Sequence, residues 1–181
     1  LFPEGFMCDT QIIATTVSYD GVNDGDVVAM LGAFTALAIS DIPWDGPVAA
    51  LRVGRINGEF IANPTVEQRK ESDIDLVVAV GTKGLTMVEG QANFIPEADM
   101  VDALLFAEES SQALLQFVRD LVAECGKEKF EWKPSEVDQE LASACREVAW
   151  DAMVAAATIP TKMERYSAVA EVKSNAVAAL A

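Results

Sequence analysis

Three groups of side chains in this chain have types and spacings that suit chemistry. Asn23, Asp24 and Asp26 precede apolar residues at 27, 30, 31, 34, 37 and 38, the stripe of a helix whose free N–H groups and partial positive charge would face an anion. The two carboxylates already supply negative charge there, so the turn reads as a capped helix start, with Asp24 as the N-cap, rather than as a phosphate cradle. Glu71, Asp73 and Asp75 stand at the mouth of the apolar run DLVVAV. Alternation along an extended chain puts all three on one face, where oxygen ligands suit Mg²⁺. With no Lys or Arg expected beside them to take a phosphate oxygen, a solvated strand entry fits them better. Arg52 and Arg55, in RVGR, are three apart in a predicted strand and so face opposite sides. Each suits either an RNA phosphate or a salt bridge to a neighbouring carboxylate.

Other chemistries are excluded by what the chain lacks. It has no histidine, which removes Ser-His-Asp and Cys-His catalysis, His-ligated zinc and an imidazole base within these 181 residues. Cys8, Cys125 and Cys145 lie too far apart for a CxxC metal site, and an odd count closes no disulfide framework, which fits a reducing cytoplasm. Trp44, Trp132 and Trp150 are too scattered to form a stacking platform. A net charge of −16 with 51% apolar residues describes a chain that folds, since disorder needs low hydrophobicity. The acidity is spread over both halves, so no basic patch is available to neutralise phosphates, and this segment alone is expected to bind RNA or DNA poorly. The longest stretch without a charge, Val27 to Ser40, is 14 residues, too short to span a membrane. The start, LFPEGF, has neither a basic nor a long apolar leader and no methionine, and reads as the beginning of a fragment.

The elements that must position these residues follow from period and punctuation. Thr10 to Tyr19, rich in β-branched residues and closed by Asp20-Gly21, predicts a strand. The stripe from Val27 to Ala38 predicts a helix packed on a sheet. Pro47 to Arg55, then Asn57-Gly58, then Glu59 to Ala62 predicts a hairpin, because Asn-Gly supplies both positive φ values of a type I′ turn. Asp75 to Val80 and Leu85 to Gln91, flanking Lys83-Gly84, predict a second. From Pro96 to Cys125 the period changes to 3.6 and predicts one long amphipathic helix, with Gly126 beyond its end. After the polar joint KEKFEWKPSE, two further helices are predicted over about 135–156 and 161–181, broken at Ile159-Pro160. The expected boundary falls near 126, with an α+β unit before it and an all-α unit after it.

The order of motifs goes further. LFPEGF, TQIIATTVSYDGVNDGDVVAMLGA, IPWDGPVAALRVGRINGEFIANPT, KESDIDLVVAVGT and MVEGQA closely resemble the first ribonuclease PH-like core of the bacterial polynucleotide phosphorylase family. WKPSEVDQELA and KMERYSAVAEVKS resemble that family's all-helical linker domain. The resemblance covers essentially the whole chain. It implies an α+β fold, with the C-terminal portion of a ribonuclease PH-like (ribosomal protein S5 domain 2-like) core over 1–126 and the linker domain over 127–181.

For function, the resemblance implies a homotrimeric ring with RNA in a central channel, possible degradosome-type protein partners and no membrane. The family degrades RNA from the 3′ end: inorganic phosphate, as co-substrate, attacks the terminal phosphodiester with Mg²⁺ assisting, and nucleoside diphosphates are released in a reversible reaction. That chemistry belongs to a second core outside this chain, so this segment is expected to be structural, to hold no metal and to contain no catalytic residue. The active core's phosphate-holding serines fall here at Asp24, Gly25 and Asp26. Its strand-mouth aspartate falls at Asp75, and the lysine two residues on falls at Val77. Arg52 and Arg55 remain candidates for the RNA path. The family reads VVAGT where this chain reads VVAVGT, which predicts a bulge in that strand, and Ala107-Glu108-Glu109 replaces a stretch that ordinarily carries His. A non-catalytic relative that scaffolds RNA or protein assembly is the alternative, and the sequence downstream of this chain would separate the two.

Overall fold

A computed structural model describes residues 1–134 and 136–180. The predicted helical stretches begin and end on Ser135 and Ala181, which lie outside the described residues. The chain forms two compact units, residues 1–133 and 134–181.

The first unit is built on a four-stranded antiparallel sheet with strand order β2-β1-β3-β4, comprising β1 (Val48–Ile56), β2 (Glu59–Ala62), β3 (Ile74–Gly81) and β4 (Gly84–Ala92). Both hairpins stand where the turn residues put them, and Asn57 (φ 52°) and Gly58 (φ 83°) have the two positive φ values that the β1–β2 turn requires. In the middle of the sheet β1 and β3 pair from Val48 with Gly81 to Gly54 with Asp75 without interruption. The extra residue of VVAVGT is therefore not a bulge in β3. The irregularity lies on β4, where Ala79 faces Met87 but Val80 faces Leu85, and the skipped Thr86 turns its hydroxyl to donate to the Ala79 carbonyl at 2.9 Å.

Strand alternation then sorts the side chains onto two faces. Ala49, Leu51 and Val53 of β1 join Ile74, Leu76, Val78 and Val80 of β3 against Ala103 of α3 (Glu97–Ser110) and Leu115 of α4 (Gln112–Cys125). On the other face Val48, Ala50 and Ala79 pack on Met30 and Phe34 of α1 (Gly25–Ile39) and on Trp44. β1 and β3 are covered on both sides, which is why their interior reads as a nearly continuous apolar run.

Two expectations fail, each for a local reason, and two further features lie outside what was expected. Thr10 to Tyr19 is not a strand but a largely exposed segment without regular secondary structure, with Val17 93% exposed; β-branched residues favour a ladder only where a partner is present to complete it. The long helix is two, because the buried Ser111 donates its hydroxyl back to the Ala107 carbonyl at 2.7 Å, a bond that competes with the helical ladder. A short helix that periodicity did not show, α2 (Val66–Glu71), is set by a capping box in which Thr65 and Gln68 exchange side-chain and backbone bonds. Finally, Phe6, Phe34, Trp44, Phe130 and Trp132 are gathered by the fold: Phe6 meets Trp132 edge-on at 5.6 Å and Trp44 stacks on Phe34 at 6.2 Å.

The first unit continues past Gly126 because the joint is tied to the end of α1. Lys127 and Phe130 donate backbone N–H groups to the carbonyls of Ile39 and Asp41 at 2.9 and 2.8 Å. The Lys129 ammonium donates to the carbonyls of Leu37, Ala38 and Ser40 at 3.0, 2.9 and 2.5 Å, filling acceptors that a helix end leaves open. The second unit is a pair of helices, α5 (Gln139–Ala157) and α6 (Lys162–Leu180), turned at Ile159-Pro160. Asp138 caps α5 by accepting from the N–H groups of Glu140 and Leu141 at 3.0 and 3.1 Å. No described helix is long and apolar enough to cross a membrane.

Candidate functional site

Arg52 and Arg55 are both on β1, and their odd spacing sends them to opposite faces of the sheet. On the α1 face, Arg52 donates one nitrogen to Asp75 and the other to Asp26. Arg69 of α2 donates to the second oxygen of Asp75 at 2.8 Å and to Asp24. The result is a chain of alternating charge, Asp24–Arg69–Asp75–Arg52–Asp26, that ties the start of α1 to β1, α2 and β3. On the α3 face, Arg55 holds Asp73 through Nε and Nη2, at 2.9 and 2.6 Å, and also Asp99 of α3.

Backbone contacts fix both arginines. The Asn63 side chain accepts from the Arg52 N–H at 2.9 Å while its own N–H donates to the Arg52 carbonyl at 2.7 Å. Ser72 accepts from the Arg55 N–H at 2.7 Å and donates to the Ile74 carbonyl at 2.6 Å. Gly90, opposite Leu76, lets β4 come close to the same place: a Cβ there would lie 2.1 Å from the Asp75 carbonyl oxygen.

This arrangement departs from the sequence reading at several residues. Asp24 occupies the N-cap position of α1, yet its carboxylate makes no capping bond and goes to Arg69 instead. Asp26 turns one oxygen to the N–H of Val27 at 2.7 Å and the other to Arg52. Asp73 and Asp75 do not share a face, because Asp73 precedes the first residue of β3 and turns to Arg55. Nor do these carboxylates lack cations beside them, since Arg52, Arg55 and Arg69 occupy them. No group of His, Cys, Asp or Glu suited to a metal ion occurs among the described residues.

A cleft of about 540 Å³ opens beside the chain of charges, lined by Asp26, Arg52, Asp75 and Glu89 with the apolar Met30, Val77 and Met87. Arg52, Asp26, Asp75 and Val77 are thus brought together; Gly25 begins α1 next to them, and Arg55 is on the other face. A larger cleft, about 650 Å³, runs between the segment 12–20 and α1, and its lining is largely apolar.

Burial pushes the Asp75 carboxyl up, and the hydrogen bonds from Arg69 and Arg52 outweigh it, so the group stays below the ordinary carboxylate range. Asp73 is held low by its bonds from Arg55. A carboxylate whose lone pairs are engaged and whose pKa is depressed is a poor general base at neutral pH. With three carboxylates against two guanidiniums, the network has an excess of negative charge that opposes a phosphate. Arg69, which the sequence reading passed over, was signalled only by the Thr-x-x-Gln of its helix start.

Residues 46–110 match the 3′ exoribonuclease family, domain 2, a stretch that runs from β1 to α3 and holds both β1 arginines with Asp73, Asp75 and Asp99. Over its whole length the chain is 49% identical to a polyribonucleotide nucleotidyltransferase of Syntrophotalea carbinolica and 44% identical to one of Trichlorobacter lovleyi. Over 99% of its length it is 47% identical to one of Myxococcus xanthus. Along its length the chain is similar to a segment of these polyribonucleotide nucleotidyltransferases. It spans about a quarter of the length of these curated relatives, 26%, 26% and 25% respectively. The α+β unit is a ribonuclease PH-like core portion, and the family match takes in its four strands with two of its four helices, α2 and α3, leaving α1, α4, Asp24 and Asp26 outside the matched residues.

Proposed function

We propose that the polypeptide carrying this chain degrades RNA from its 3′ end by phosphorolysis, inorganic phosphate attacking the terminal phosphodiester and a nucleoside diphosphate leaving, and that this segment shapes the assembly without performing the chemistry. Whole-length identity of 42–49% to relatives of that name supports the first half. The observation that carries the second is that both terminal nitrogens of Arg52 and of Arg69 are already paired with the chain's own carboxylates, Asp26, Asp75 and Asp24. Phosphoryl transfer of this kind needs positioning and charge neutralisation rather than a covalent group, so a histidine-free segment is compatible with it. Mg²⁺ belongs to the intact enzyme in this reading and is held outside this segment. The working form is a homotrimer that meets RNA, with protein partners of the degradosome kind, in the cytoplasm, where the exposed free thiols of Cys8, Cys125 and Cys145 stay reduced.

The test uses poly(A), phosphate and Mg²⁺. The intact polypeptide is expected to release nucleoside diphosphates and the 181-residue chain to release none above a mock purification. Release by the isolated chain would overturn its structural role. No release by the intact polypeptide would replace the enzyme reading with that of a scaffold for RNA or protein assembly.

A further inference from the structure

α1 ends without a cation of its own, since its last turn carries no Lys or Arg. The carbonyls of that turn are met instead by Lys129, which stands 92 residues beyond Leu37 and donates to Leu37, Ala38 and Ser40. Its neighbours Lys127 and Phe130 donate backbone N–H groups to Ile39 and Asp41. Phe130 and Trp132 then lean on Phe6, at 6.1 and 5.6 Å between ring centroids. The segment is nevertheless shallow: Lys129 and Trp132 are half-buried, whereas Lys127, Glu128, Phe130 and Glu131 are exposed. What lies beneath it can do without it, because the Leu37 carbonyl also accepts from the Ser40 hydroxyl at 2.9 Å and helix-end carbonyls can turn to water. Burial holds the Lys129 ammonium below its ordinary pKa, with Asp41 opposing, so seating the charge has a cost that its bonds must exceed.

We propose that residues 127–132 form a strap that opens and closes on the end of α1 while the sheet and helices stay folded, and that the Lys129 ammonium is its latch. Local opening belongs to segments with few buried apolar contacts and with backbone bonds near solvent, and this strap has both. The latch joins a full charge to the negative end of a helix, a contact strongest where it is partly dry. Opening uncovers Phe6 and the last carbonyls of α1. It also adds the six residues of the strap to the stretch that leads into α5, about 20 Å of reach at full extension. A neutral side chain at 129 keeps neither the charge nor the three donors, so its introduction shifts the strap toward the open form. The device is independent of the activity proposed above, since it is read from the chain's own opening.

The test is digestion of the 181-residue chain by a protease that cuts after glutamate, in urea from zero to ~1 M, below the unfolding transition. Rates after Glu128 and Glu131 in the strap are read against those after Glu108 and Glu109 in α3. The strap cuts are expected to be the faster and nearly indifferent to urea, because local opening exposes little surface, while the α3 cuts rise steeply. Lys129→Met is expected to quicken the strap cuts about tenfold. Thr65→Ala, which weakens a cap shared by the closed and open forms, is expected to quicken the α3 cuts and leave the strap cuts unchanged. Strap cuts that rise with urea as the α3 cuts do, that answer to Thr65→Ala, or that ignore Lys129→Met would each overturn the proposal. So would a Lys129→Met chain that does not fold, since the latch would then belong to the whole fold and not to a strap.

Discussion

Asp75 accepts from two guanidiniums while burial works against its charge, and the bonds win. A carboxyl held below its ordinary value contributes stability that is complete above that value, about 3.9, and is lost as pH falls through the lower value in the fold. Acid unfolding of the first unit is therefore expected to set in below about pH 4, with Asp73, held low by Arg55, acting in the same window. Asp75→Asn leaves the buried Arg52 and the part-buried Arg69 each short of a partner, and should lower stability at neutral pH by about 1–3 kcal/mol while making the acid limb shallower. Urea titrations from pH 7 to pH 2 would show both, and an unchanged acid limb would mean that Asp75 is not the group that titrates. That Arg52 and Arg55 face opposite ways was legible in the sequence, since a period of two leaves no other outcome. Their partners were not: the pairs Arg52–Asp26 and Arg69–Asp24 close over 26 and 45 residues, a distance at which spacing along the chain carries no information.

The elements that sequence reading recovers are those whose signals are local. Asn57-Gly58 forces its turn through backbone conformation alone, and the stripe from Val27 to Ala38 makes α1. Thr10 to Tyr19 fails for the opposite reason, because a strand is a pairing and not a property of one segment. The break at Ser111 is missed because the apolar period runs on through α3 and α4 while a single hydroxyl shares the Ala107 carbonyl with its own N–H. α2 is the instructive case, since its six residues are too few for a period and its identity rests on the capping box. Thr65→Ala should cost about 0.5–2 kcal/mol. It should also loosen Arg69, so that its effect shrinks in an Arg69→Met background; full additivity in a double-mutant cycle would show that the cap and the charge network are independent.

For the whole chain, a formal charge of −16 and the internal pairing of Arg52, Arg55 and Arg69 predict weak affinity for RNA. Fluorescence anisotropy with a single-stranded oligonucleotide near 150 mM salt should show no binding by the isolated chain at micromolar concentration, and tight binding would mean that a phosphate path exists on this segment. Ile13, Val17 and Phe94, 77%, 93% and 103% exposed, lie among side chains that a longer polypeptide of this family is expected to cover. The isolated chain should accordingly bind an apolar dye and self-associate in sedimentation. A well-behaved monomer with a cooperative melt and no dye uptake would show the described surface to be complete.

The irregularity at Thr86 bears on how such association would proceed. In the described sheet β4 ends the strand order, and a terminal strand is a template on which a further strand, from any molecule, can grow. Growth of that kind needs a regular succession of donors and acceptors, and here the succession is broken where Ala79 and Val80 take Met87 and Leu85 as partners. Glu89 adds a charge farther along the same strand. Aggregates of this chain should therefore be amorphous clumps joined through apolar side chains, not ordered fibrils that seed their own extension.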